Sequence, residues 1–131
     1  MATNAEAKVA VAATNYDWGT IGINNGKVEA VFAIKNEGTQ PLRLFNISTS
    51  CMCTTAQLTL GDKSSPLFGM HANSGYVLEV PPAQAAQLKV VFDPALHGPS
   101  GTGTINRQVK VQTNDANQPE LNFMLTATVT R

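Results

Sequence analysis

From Lys27 to Asn36 the chain reads KVEAVFAIKN, with Val28, Ala30, Phe32 and Ile34 on one side and Lys27, Glu29 and Lys35 on the other. A period of two marks a strand with one buried face. EGTQP follows with Gly38 and Pro41 as turn residues, LRLFNISTS resumes an extended pattern, and the two segments are predicted to pair as a hairpin. AQLKVVFD places Leu88, Val90 and Phe92 on one face, RQVKVQT alternates Val109 and Val111 with polar neighbours, and LNFMLTATV aligns Leu121, Phe123, Leu125, Ala127 and Val129. KVAVAAT, YDWGTI and YVLEV read as shorter strands, and PAQAAQLK has room for one helical turn. No segment carries a long 3.6-residue apolar stripe, so the expected fold is all-β, an immunoglobulin-like sandwich of seven to eight strands.

Two stretches do not alternate, GDKSSPLFGMHANSG from Gly61 to Gly75 and PALHGPSGTG from Pro94 to Gly103. Long loops in a compact domain carry function more often than strands do.

At 131 residues the chain has room for one domain, residues 1–131. Nine basic residues balance nine acidic ones, so no one-signed field exists to hold a nucleic-acid backbone or an anionic membrane. The longest apolar runs, such as Val90-Val91-Phe92, fall far short of the roughly 20 residues of a spanning helix. MATNAEAKVAVAAT contains no export signal, yet it is also what remains after a leader or anchor is cut away, so export is an expectation and membrane association is expected only through such a segment.

Both cysteines lie in STSCMCTTA. On a regular strand Cys51 and Cys53 share one face, with α-carbons roughly 6.5 to 7 Å apart. A disulfide favours about 4.4 to 6.8 Å, so a bridge here sits at the strained edge of that range and closes too small a loop to stabilise much. Two thiolates on one face suit a soft metal, Cu(I) before all. Met70 and His71 stand in one irregular stretch and His97 in the other, and these are the only two histidines. The candidate ligands are Cys51, Cys53, His71, Met70 and His97, and zinc is the alternative ion with two sulfurs and two nitrogens. A buried pair of inert thiols competes on equal terms with this reading. Met52 points away from the cysteines on a regular strand, and Met124 lies within the last strand, so both are assigned to packing.

The order of motifs YDWGTI, VFAIKNEGTQPL, SCMCT, VVFDP, VKVQTND and LTATVT resembles a bacterial family of exported domains of unknown function, the 1573 type, similar to Hydin-type and major-sperm-protein-type immunoglobulin-like sandwiches. Many members carry glycine between the cysteines where this chain has Met52, and FGMH and ALHGP resemble one branch only. The resemblance implies the sandwich fold and export, and it brings no settled activity.

Trp18 and Tyr16 are expected to pack at the opening strand. Gly98, Gly101 and Gly103 lack the GK[ST] of a phosphate loop, and Asp62, Ser64 and Ser65 lack a nucleophile elbow. Thiol redox chemistry is the enzymatic runner-up, but it needs a cation beside the pair, and Lys63 and Arg43 reach it only by assumption. The expectation is a non-enzymatic metal-storage, delivery or protection protein. The alternative is a protein-interaction or surface-assembly module whose cysteines are structural or redox-active.

Overall fold

The computed structural model describes residues 7–11, 13–50, 54–69, 76–95 and 102–130. Ten strands lie within them: β1 (Val9–Val11), β2 (Asn15–Gly22), β3 (Val28–Asn36), β4 (Leu42–Thr49), β5 (Thr54–Leu60), β6 (Lys63–Ser64), β7 (Val77–Val80), β8 (Ala85–Phe92), β9 (Gly103–Thr113) and β10 (Glu120–Thr130). They form two five-stranded sheets, ordered β1-β3-β8-β5-β6 and β2-β10-β9-β4-β7. No helix occurs among the described residues. The expected all-β immunoglobulin-like sandwich is present.

Alternation builds the core. Ala30, Phe32 and Ile34 of β3 and Ala86, Leu88 and Val90 of β8 face Leu42, Leu44, Val109, Val111, Leu121, Phe123 and Leu125 of the other sheet, all buried. The rings of Phe32 and Phe123 meet across the middle with centroids 4.7 Å apart. The start of the chain ties the layers together, because β1 pairs antiparallel with β3 and β2 then pairs parallel with β10. Trp18 on β2 reaches back, its indole N–H donating to the Glu29 carbonyl at 2.9 Å while its ring stacks on Phe92 at 5.6 Å. The expected packing role of Trp18 therefore has a polar component as well.

Three expectations change. β3 and β4 do not form a hairpin: β3 lies in the first sheet and β4 in the second. The reason is Asn36, fully buried, whose amide donates to the carbonyls of Gln40 and Val80 and whose oxygen accepts the Gly38 N–H. These bonds carry the EGTQP connection from one layer to the other. The strand count is ten because TTAQLTL forms β5, followed by the short β6. PAQAAQLK makes no helical turn; Ala83 stands in the turn before β8, and Ala85 and Ala86 enter the strand, where Ala86 and Leu88 are buried and Ala85 and Gln87 exposed.

One end of the sandwich is closed by buried polar side chains. Asn114 exchanges bonds with Arg43, accepting its N–H at 2.8 Å, and Asp115 accepts the N–H groups of Val9 at 2.9 Å and Asn117 at 2.8 Å. The KNEGTQP and TND motifs are therefore read by the fold itself.

Candidate functional site

The opposite end is where β4 stops and β5 begins. Thr49 donates its hydroxyl to the Thr54 carbonyl at 2.9 Å, so the two sides of the stretch that holds Cys51 and Cys53 are clasped together. Ser50 is fixed on the second sheet, its N–H donating to the Gln108 carbonyl and its hydroxyl oxygen accepting the Gln108 N–H, both at 2.9 Å. Thr54 is fixed on the first sheet, opposite Phe92. The chain therefore crosses from one layer to the other between these two residues.

Two further segments are anchored here. Phe68 exchanges both backbone bonds with Ala56 of β5, and the next residue, Gly69, accepts the Thr49 N–H at 2.8 Å. The chain that leads to Met70 and His71 is thus bonded two residues before Cys51. Tyr76, where that stretch ends, lays its ring on Phe68 with centroids 5.5 Å apart. After Phe92, Asp93 accepts the Ala95 N–H at 3.0 Å, and the segment that holds His97 starts from the strand end facing Thr54.

Cys51, Cys53, His71, Met70 and His97, with Met52, lie outside the described residues. Within the described residues no group of three or more His, Cys, Asp or Glu side chains is placed to hold a metal ion. The flanks converge on one end.

Sequence reasoning missed Arg107. Ile105, Arg107, Val109 and Val111 share the inward parity of β9, which extends the alternation of RQVKVQT back by two residues. Arg107 stands over the Phe92 ring, 5.6 Å from its centre, a cation–π contact, and burial pulls its guanidinium below the ordinary value. It adjoins both anchors of the cysteine stretch, since Gln108 binds Ser50 and Phe92 pairs with Thr54. The bases nearest in sequence are elsewhere: Lys63 is on β6, paired with the far end of β5, and Arg43 binds Glu79 at the closed end. A cation at this end suits an anionic, sulfur-rich group.

A concavity of about 210 Å³ opens beside the Ser50 anchor, lined by Ser48, Thr49, Ser50, Gln108 and Lys110.

Comparison with known structures agrees with the sandwich. A protein of unknown function from Porphyromonas gingivalis W83 superposes with a TM-score of 0.73 at 22% identity, over 97% of this chain and 50% of its own. The chain thus spans about half the length of that protein. The ASH/PapD-like domain 7 of human CEP192 superposes with a TM-score of 0.60 at 16% identity, over 100% of this chain and 91% of that one. The Escherichia coli chaperone DraB gives 0.55 at 8% identity, over 94% and 56%. At these identities the likeness concerns the fold alone. No curated protein sequence matches the chain. Residues 9–63 match the family described as "Protein of unknown function (DUF1573)", the family type that the motifs resemble.

Proposed function

We propose that the protein is a non-enzymatic, exported β-sandwich that binds a soft metal ion, copper(I) ahead of zinc, for storage, delivery or protection. The observation that supports this reading best is the Thr49–Gly69 hydrogen bond at 2.8 Å, which anchors the chain leading to Met70 and His71 beside the chain leading to Cys51. Two thiols, a thioether and two imidazoles on segments rooted at one end form a donor set matched to copper(I). Cys51 and Cys53 would hold the ion, with His71, Met70 and His97 completing it in that order.

The test is elemental analysis and anaerobic Cu(I) titration of the reduced protein beside Cys51→Ser and Cys53→Ser. One tightly held copper per chain, lost in either variant, supports the reading; equal binding in wild type and both variants removes the cysteines from any site. Zinc retained in preference to copper(I) would reverse the order of the metals.

A second reading, a protein-interaction module, is favoured by β2. It is an eight-residue strand at the edge of its sheet, with Tyr16 44% exposed, on a fold shared with a chaperone and a PapD-like domain. Edge strands of this length accept an added strand. Loss of partner capture on Tyr16→Lys, with cysteine variants unaffected, would support it.

A further inference from the structure

Both outer faces carry an ion pair, Glu29–Lys89 on the first sheet and Arg43–Glu79 on the second. On the first, Lys35 is also exposed, six residues along β3 from Glu29. On the second, β4, β9 and β10 turn outward Ser48, Asn106, Gln108, Lys110, Gln112 and Asn122. The centre of this face is built from amides and hydroxyls, with Lys110 as the charge among those six.

These amides are held in place. Asn46 donates to the Gln112 side-chain oxygen at 2.8 Å and Gln108 donates to the Asn122 side-chain oxygen at 2.9 Å, so the pairs bridge β4 to β9 and β9 to β10. Each pair uses one N–H and one oxygen, so the donor amide's oxygen and the acceptor amide's NH2 lie outside that bond. Asn46 reaches its place because β4 bulges there, with φ of 50° at Asn46 and a register shift between Phe45 and Ser48 against β9. Phe45 turns outward beside it, half-buried, and Met124 lies exposed across the Gln108 strand pair. The concavity of about 210 Å³ lies on this face, bounded by the Ser48 and Ser50 backbone turn and Gln108.

We propose that this face binds a neutral carbohydrate, with one sugar ring in the concavity and its neighbours along the Gln108–Asn122 and Asn46–Gln112 amides. The paired amides select the occupant, with Lys110 the one charge lining the concavity among the described residues: a sugar brings no charge to desolvate, and each hydroxyl both donates and accepts, as fixed amides require. Fixed amides also lose little rotamer freedom on binding. The concavity is smaller than the roughly 300 to 1,000 Å³ of pockets for larger ligands, which matches one ring rather than a buried chain. A peptide strand fits less well, because β9 and β10 are interior strands whose backbone groups are already paired on both sides.

The test is two-dimensional amide NMR of the full chain titrated with cellobiose, maltotriose and N,N′-diacetylchitobiose, beside a neutral Ser/Asn/Gln peptide and inorganic phosphate. A sugar is expected to shift Ser48, Ser50 and Gln108 together with the side-chain amides of Gln108 and Asn122. Gln108→Ala is expected to weaken that response by about tenfold, and Asn122→Ala similarly, while Lys110→Gln changes it little. No response to any of the three sugars overturns the proposal. So does a response at these residues to the peptide or to phosphate alone, or a sugar response that survives both amide variants.

Discussion

The Asp115 carboxylate accepts the backbone N–H of Val9 at 2.9 Å, 106 residues away in the chain, and it does so from a position only 2% exposed. This bond, with the Gln118 amide donating to the Val9 carbonyl at 3.3 Å, seats the short β1 against the closed end. Asp115→Ala leaves the Val9 and Asn117 N–H groups without their acceptor and is expected to cost about 1–3 kcal/mol in urea unfolding. Asp115→Asn keeps one acceptor oxygen and is expected to cost less. Hydrogen exchange should accelerate at Val9 first; unchanged exchange there would show that pairing with β3 holds β1 without the carboxylate.

The strands with one charged or polar face were legible in the sequence, because Glu29, Lys35, Gln108 and Lys110 mark the solvent side. β5 was not, since Thr55, Gln57 and Thr59 differ little in polarity from the loop residues around them. The β3–β4 crossing could not be read from a turn motif, because Asn36 settles it through a bond to Val80, 44 residues on. The candidate ligands were legible by residue type, but the bond between Thr49 and Gly69 joins positions twenty apart with no shared pattern. Arg107 was legible in principle. Its parity with Val109 and Val111 announces an inward side chain, and only the habit of reading arginine as surface hides it.

Trp18 fastens β2 to the first sheet through the Glu29 carbonyl and the Phe92 ring. Trp18→Phe keeps an aromatic but loses the N–H and part of the stack, and is expected to cost about 1–2 kcal/mol. Trp18 is the only tryptophan, so its emission should follow the release of β2. If the emission changes well before the far-ultraviolet signal in denaturant, the opening strand leaves the sandwich as a separate step.

Ala83 holds φ at 70°, in the turn where the Gln84 N–H donates to the Pro81 carbonyl. A Cβ in the left-handed region costs roughly 1–2 kcal/mol, and glycine gives back roughly 0.5–1 kcal/mol through the freedom it adds to the unfolded chain. Ala83→Gly is therefore expected to stabilise by up to about 1 kcal/mol, seen as a rise of a few degrees in Tm. Ala83→Val should move Tm the other way.

Gly22 makes the opposite demand. A Cβ built there would stand 2.6 Å from the Asn25 side-chain nitrogen, in a turn where the Asn25 N–H donates to the Gly22 carbonyl. Gly22→Ala is expected to destabilise by about 1 kcal/mol, and Asn25→Gly in the same chain should recover part of that loss. Equal stability of the single and double variants would mean that the asparagine swings away freely.

Tyr76 carries a pH dependence whose sign follows from its seat against Phe68. Burial disfavours the phenolate and raises the Tyr76 pKa above the ordinary tyrosine value, and the ring packs on Phe68 with centroids 5.5 Å apart. A group whose folded pKa is raised contributes stability that is fully present below its unfolded pKa, about 10, and is lost as the pH climbs through the folded value. The protein should therefore lose stability in the alkaline range from about pH 10 upward, with no contribution from this group at neutral pH. Tyr76→Phe keeps the ring on Phe68 and has no proton to lose, so its stability should fall less steeply there than that of the wild type. Near-ultraviolet absorbance of the wild type should show a phenol ionising above the ordinary range, and Tyr76→Phe should abolish that phase. Because Tyr76 and Gly69 bracket the stretch that holds Met70 and His71, Cu(I) binding should weaken over the same alkaline range in the wild type and less in Tyr76→Phe; equal pH profiles would separate the Phe68 contact from the metal-binding end.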